Sequence, residues 1–319
     1  MKVLLTGATG FVGKAVSEKL IETGVYLVAS VREKSEILSH QVSQVLISDL
    51  TSETDWSLAL KSVDVVIHSA ARVHVMNDTS EDPLAEFRKV NLEGTMALAL
   101  QAVKAGVKRF IFISSIKVNG ESTLSGRPFT ADDTPSPLDA YGISKAETEE
   151  ALMEISLATK MEVVIIRPVL VYGPEVKANF LNMMSWLNHR VPLPLGNIQN
   201  QRSLLALDNL IDFILLCVDY KKSPKASNQI FLISDGEDVS TTELLRKTAN
   251  ALGKRPLLIS VPVWLMKFAA NLLGKGEVAN RLFSSLQVDN SKAKELLGWT
   301  PVINMDEQLK KTAEEYLKK

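Results

Sequence analysis

The 319 residues contain a single cysteine, Cys217, which excludes an intrachain disulfide and a cysteine-built metal cluster. It lies in an apolar run, Phe213 to Val218, where a buried, unreactive thiol is expected. An excess of either charge is also missing, because 36 Lys and Arg face 37 Asp and Glu. Proteins that neutralise phosphate backbones carry a basic excess, so no nucleic-acid partner is expected. No apolar run approaches the ~20 residues of a membrane span, and no integral span is expected. The start, Met1 to Leu5, runs straight into a glycine motif. It lacks the apolar core and cleavage site of a signal peptide, so a reducing, cytoplasmic location is expected. The four histidines, His40, His68, His74 and His189, are scattered without ligand spacing, and no metal site is expected. There is no internal repeat and no low-complexity tract.

What is present is a rhythm. Apolar strands are predicted at Lys2–Thr6, Val25–Val31, Gln44–Ile47, Val63–His68, Lys108–Ser114 and Met161–Arg167. Helices are predicted between them at Gly13–Thr23, Ser52–Lys61, Pro83–Ala105 and Tyr141–Thr159. Strands that are apolar throughout, alternating with helices, call for a parallel sheet covered on both faces. The expected class is α/β, a doubly wound Rossmann-type parallel sheet with a smaller mixed α/β C-terminal lobe. The expected division is a dinucleotide-binding domain over 1–173, to which about 204–238 returns, and a substrate lobe over 174–319. In that lobe helices are predicted near Phe180–Asn188, Asp208–Val218, Thr241–Leu252, Val263–Leu273, Ser291–Leu297 and Asp306–Leu317, with a strand at Ile230–Ser234.

Two segments carry chemistry. Thr6-Gly7-Ala8-Thr9-Gly10-Phe11-Val12-Gly13 links the first strand to the first helix. Glycines there let the chain turn tightly and bring backbone N–H groups to a pyrophosphate at the helix N-terminus. The spacing is GxxGxxG rather than GxGxxG. Tyr141 and Lys145 stand four apart on one predicted helix face. A phenol is a poor acid/base at neutral pH, and a nearby ammonium favours its ionised form. Ser114 and Ser115 close a strand at the carboxyl edge, where such sheets bind ligands. The acid that commonly holds a ribose 2′-hydroxyl at the end of the second strand is replaced by Val31, followed by Arg32. An Arg suits a 2′-phosphate, so NADP(H) is expected, with NAD(H) as the alternative.

These motifs, with His68-Ser69-Ala70-Ala71, Asn91-Leu92-Glu93-Gly94-Thr95, Arg167-Pro168, Tyr172-Gly173-Pro174 and Leu297-Gly298-Trp299, resemble the extended short-chain dehydrogenase/reductases of the NAD-dependent epimerase/dehydratase group. The resemblance runs nearly end to end. It implies Ser115 as catalytic serine, three residues before Val118-Asn119-Gly120, with Tyr141 as proton donor and acceptor and Lys145 as its partner and ribose ligand. It implies a cofactor site of Gly7, Thr9, Gly10, Phe11, Val12, Arg32, Asp49, Leu50, Ala70, Ala71, Asn91, Ser114, Tyr141, Lys145 and Pro168. A UDP-sugar would meet Ser115, Lys117, Asn179, Leu195 and Arg202. A homodimer through helices Leu84–Ala105 and Tyr141–Thr159 is implied as well.

Departures from the family pattern narrow the activity. Nucleotide-sugar 4,6-dehydratases carry Asp-Glu directly after the catalytic serine or threonine; Ile116 and Lys117 stand here. The Asn that commonly meets the substrate diphosphate is Leu170. The expected reaction is reduction at C4 of a UDP-4-keto-6-deoxy-hexosamine in O-antigen precursor synthesis, with a UDP-sugar 4-epimerase as the alternative. A non-catalytic dinucleotide sensor would have lost the Tyr/Lys pair, and both residues are present. Arg72, His74 and Lys117 are loop residues beside the expected site, read equally as specificity residues or exposed charge. The apolar stretch 257–273 reads first as core packing. Its sharper reading is a surface that meets a membrane or a polyprenyl-linked sugar.

Overall fold

The structure, a computed structural model, describes residues 1–73, 80–124, 126–274 and 276–318. Seven parallel strands form the main sheet: β1 (Lys2–Thr6), β2 (Tyr26–Val31), β3 (Ser43–Leu46), β4 (Val65–His68), β5 (Arg109–Ile113), β6 (Glu162–Pro168) and a late strand, Gln229–Ile233. Their order across the sheet runs β3-β2-β1-β4-β5-β6 and then the late strand, which pairs with β6. The apolar runs are explained by burial on both faces. Val3, Leu5, Val65, Ile67, Val164 and Ile166 pack on one side, while Leu4, Val66, Phe110, Phe112, Val163 and Ile165 pack on the other.

Helix α1 (Phe11–Glu22) covers the first face. The second face carries α2 (Pro83–Phe87), a π-helical turn over Arg88–Glu93, α3 (Gly94–Ala105) and α4 (Ala140–Ala158). The single helix expected over 83–105 is thus widened in its middle, and the π turn brings Asn91 inward, where it is buried. The helix expected over 52–61 is absent, and the chain there makes successive turns. Ser, Thr and Asp side chains compete for its backbone N–H groups: Thr54 Oγ1 accepts from Thr51 N (3.0 Å) and Asp55 Oδ1 from Ser57 N (2.9 Å).

A second, three-stranded sheet was not foreseen. It comprises β7 (Leu170–Tyr172), β8 (Arg202–Ala206) and, after β9 (Gln229–Ile233), β10 (Asp238–Val239), in the order β10-β8-β7. Around it lie α5 (Ala178–Asn188), α6 (Leu207–Val218) and α7 (Thr241–Ala251), then α8 (Val263–Leu272), α9 (Gly276–Phe283), α10 (Ser291–Leu297) and α11 (Met305–Leu317). A third core joins α5, α7 and α11 through Phe180, Leu245 and Leu309. Helix α6 turns back to the main sheet, packing on α1 and β5. Cys217 is fully buried there, and burial pushes its thiol up to about 12. Helix α8 has no buried residue, so the reading of 257–273 as core packing fails for this helix. It lies on the surface.

Candidate active site

The glycine loop caps the carboxyl end of β1. Gly7 has φ +70°, and a Cβ there would stand 2.8 Å from the Ala70 backbone nitrogen. A Cβ on Gly13 would fall 2.1 Å from the Gly7 carbonyl oxygen. The loop is therefore folded so tightly that neither position tolerates a side chain. Gly10 precedes α1 and supplies no side-chain cap, which leaves the N–H groups of Phe11 and Val12 for an external acceptor. Thr9 and Gly10 are exposed, and Ala70 and Ala71 are half-buried across the loop. A bare, turned backbone at a helix N-terminus suits a pyrophosphate, so the residues fit a dinucleotide.

His68 closes β4 beneath this loop. Its Nδ1 lies 2.8 Å from Thr6 Oγ1 and its Nε2 2.8 Å from Thr95 Oγ1. Burial, with Lys145 adding to it, holds the imidazole down at about 3. The neutral ring ties β1 to α3. The unfolded chain binds a proton near 6.5, so the stability linked to His68 is complete above that value and declines as pH falls toward 3. Unfolding free energy is expected to drop by about 2 kcal/mol between roughly pH 7 and 5 from this group. Denaturant titrations of the wild type and His68→Asn check this, with the variant expected to lose most of that slope. An equal slope in both would assign it elsewhere.

At the end of β5 the two serines part. The Ser114 hydroxyl turns inward and donates to Glu149. Ser115 is half-buried and begins a 3-10 turn over Ile116–Val118, its Oγ accepting from Lys117 N at 3.3 Å. Among the described residues no acceptor takes its O–H, which is left to bond a ligand oxygen. Ile116 is buried, so the position that holds an acid in the dehydratase pattern offers no proton.

Helix α4 starts at Asp139, whose Oδ1 accepts from Gly142 N at 2.7 Å. Tyr141 and Lys145 lie one turn apart on it. Lys145 is buried and its Nζ donates to the Ile113 carbonyl (2.9 Å), 4.3 Å from the Phe112 ring centre and 5.9 Å from that of Tyr141. Lys117 also lies near Tyr141, 6.0 Å from its ring centre, and pairs with Asp139. Burial pushes Tyr141 up to about 12, with Asp139 adding to the rise. Burial brings Lys145 down to about 7, against the opposing pull of Glu149. The spacing argument predicts a lowered phenol, and the structure reverses this for the resting protein. Desolvation outweighs an ammonium that bonds a backbone carbonyl instead of the phenol.

Two further side chains support this turn, Asp139 and Glu149. Asp139 is the helix cap beside Tyr141, and Asp just before a helix is the signal that could have found it. Glu149 follows Lys145 by four residues and meets Arg167, whose Nε lies 3.0 Å from both carboxylate oxygens and whose Nη2 lies 2.5 Å from one. Arg167 also donates to Asn119 Oδ1 at 2.9 Å. Asn91 holds the backbone of Arg72 on both its N–H and carbonyl, and donates to Ser144 Oγ.

The other candidates are dispersed. Arg32 is exposed at the end of β2 beside buried Val31, and Asp49 is exposed after β3. Leu50 packs its backbone against Gly94, where a Cβ would stand 2.8 Å from the Leu50 carbonyl carbon. Pro168 ends β6 and is buried. Asn179 is exposed in the first turn of α5. The Leu195 carbonyl accepts from Thr242 Oγ1 at 2.7 Å. Arg202 opens β8, half-buried, with Nη1 donating to the Ser284 carbonyl (3.2 Å), and burial lowers its guanidinium. His74 lies outside the described residues.

A doubly wound parallel sheet, a loop at its first helix where Gly7 and Gly13 have no room for a Cβ, and a Tyr/Lys turn with a buried Lys at its carboxyl edge define an enzyme of the extended short-chain dehydrogenase/reductase type. The chain belongs to the NAD dependent epimerase/dehydratase family, whose sequence profile matches residues 3–233. A UDP-glucose 4-epimerase of Vibrio cholerae is 47% identical over 321 aligned residues, 99% of this chain and 95% of the relative. A UDP-glucose 4-epimerase of Thermotoga maritima, solved with UDP-glucose, superposes with a TM-score of 0.77 at 26% identity, covering 100% of this chain and 99% of the other. A UDP-glucuronic acid 4-epimerase of Bacillus cereus, solved with NAD, gives 0.78 at 21% identity over 100% and 99%, a likeness of fold alone.

Proposed function

We propose that the chain is a UDP-sugar 4-epimerase that works through Ser115, Tyr141 and Lys145. The observation that carries the reading is the α4 turn, which sets the buried Lys145 Nζ 5.9 Å from the Tyr141 ring centre, together with Ser115 at the end of β5, whose O–H meets no acceptor among the described residues. A bound nicotinamide cofactor supplies hydride acceptance and return at C4. Tyr141 first gives up its own proton to solvent, against the burial that holds it protonated in the resting protein; as the phenolate it takes the proton of the C4 hydroxyl when that carbon is oxidised, and it gives it back when the carbon is reduced. Ser115 donates to the same oxygen and keeps it in line with Tyr141. The charged form of Lys145 is favoured when negative charge develops on the phenol, which offsets part of its burial cost. Gly7, Thr9, Gly10, Phe11, Val12, Ala70 and Ala71 hold the dinucleotide over 1–173. Asn179, Leu195, Arg202 and Lys117 hold the UDP-sugar against the lobe over 174–319.

Reduction of a UDP-4-keto-6-deoxy-hexosamine, placed first by the sequence alone, is the second reading. It is favoured by Val31 and the exposed Arg32, where an acid would hold a ribose 2′-hydroxyl. The 47% relative weighs toward the epimerase. The two separate by cofactor demand. An epimerase interconverts UDP-glucose and UDP-galactose, or their N-acetyl forms, without net use of added cofactor. A reductase consumes one NADPH or NADH per 4-keto sugar and leaves the UDP-hexoses unchanged. Stoichiometric consumption with no interconversion would overturn the first reading.

A further inference from the structure

We propose that helix α8 and the segment leading into it dock this protein on an anionic lipid bilayer, with the apolar stripe of α8 lying at headgroup depth. Trp264, Phe268 and Leu272, spaced four apart, form one outward stripe exposed by 71%, 59% and 73%. Leu265 and Leu273 flank it, and Leu257 and Ile259 extend it upstream, all exposed. The inward positions Val263, Met266 and Ala270 are only half-buried, and α8 packs chiefly on α9. A surface helix normally turns its apolar stripe toward the core; this one carries Trp and Phe outward. An exposed patch of this kind marks a contact surface.

The charge pattern selects the partner. Residues 254–276 contain Lys254, Arg255, Lys267 and Lys275 and no Asp or Glu, in a chain whose cations and anions balance overall. Among the described residues no ion pair engages Lys254, Arg255 or Lys267. Lys267 on the helix, with Lys254 and Arg255 in the segment that leads into it, gives an outward Trp/Phe stripe the composition that binds an anionic interface. A two-fold contact between copies through residues 254–276 would instead set the same cations against each other, with no acid inside that segment to meet them. No helix among the described residues is long and apolar enough to cross a bilayer, so the association is interfacial.

The patch is joined to the candidate sugar loop. Leu193 N donates to the Leu257 carbonyl (2.9 Å), Ile259 N to the Leu193 carbonyl (2.8 Å) and Gly196 N to the Ile259 carbonyl (2.9 Å). Docking therefore places the loop around Leu195 next to the lipid surface. The inference stands apart from which C4 reaction the enzyme performs.

Co-sedimentation of the full chain with phosphatidylglycerol-containing vesicles tests it, against vesicles of phosphatidylcholine alone. The wild type is expected to partition at least tenfold more strongly to the anionic vesicles. Trp264→Ser with Phe268→Ser is expected to reduce that partitioning by tenfold or more, with thermal midpoint and turnover of a water-soluble UDP-sugar unchanged. Replacing Lys254, Arg255 and Lys267 by Gln is expected to remove the preference for anionic lipid, each cation contributing roughly fivefold. Failure of the wild type to sediment with anionic vesicles would overturn the proposal, as would full binding by the Trp264/Phe268 variant. Sedimentation velocity showing a dimer that the same variant dissociates, without vesicle binding, would assign the face to a second copy instead.

Discussion

Tyr141→Phe is expected to lower kcat for the C4 reaction by about 10²–10⁴-fold, the range for removal of a positioned general acid/base. The phenyl ring keeps the edge contact with Phe87, whose ring centre lies 6.1 Å away. Binding of the UDP-sugar, measured by calorimetry, is therefore expected to stay within a few-fold of the wild type. Binding that holds while turnover collapses identifies a group that acts on the reacting oxygen, because only interactions stronger in the transition state change kcat. Full activity in the variant would remove Tyr141 from the chemistry and leave α4 a structural helix. Lys145 cannot substitute for the lost hydroxyl, since its Nζ is committed to the Ile113 carbonyl and stacked on Phe112.

Glu149→Ala is expected to cost 3–5 kcal/mol of unfolding free energy, roughly the measured penalty for stranding one member of a buried ion pair. Arg167 is buried, and Glu149 supplies all three of its contacts through Nε and Nη2. Among the described residues it then keeps only the 2.9 Å bond to Asn119. The double variant Glu149→Met, Arg167→Met is expected to regain most of the loss, because apolar groups of similar volume need no partner there. Urea midpoints at neutral pH read both. A loss under about 1 kcal/mol for Glu149→Ala would mean that Arg167 finds water, and that the network is less closed than its geometry indicates. Glu149 also accepts the Ser114 hydroxyl and raises Lys145. The variant is thus expected to lower Lys145 further and to slow turnover, even under conditions where it is folded.

Much of this was legible in the residues. The six early strands, the glycine loop and the Tyr141/Lys145 turn follow from local rules: apolar runs for strands buried on both faces, glycine where a Cβ has no room, and a four-residue spacing for one helix face. Those rules act over a few residues, so a sequence carries them openly. They misjudged 52–61, where Trp56 N finds Gln101 Oε1 at 2.8 Å across 45 residues and the turns never join into a helix. They passed over the small sheet, because strands as short as Leu170–Tyr172 and Asp238–Val239 acquire their meaning only from partners far away in the chain.

The sequence by itself determined the doubly wound class and the glycine turn after the first strand, and it singled out one Ser, one Tyr and one Lys as the candidates for the site. Tertiary structure alone decided their electrostatics and the role of the rest. Desolvation sums over every neighbour, so the rise of Tyr141 and the fall of Lys145 could not be read from a spacing of four. Whether an apolar helix faces in or out is likewise settled by what packs against it. Only the folded chain turned Trp264, Phe268 and Leu272 to the outside.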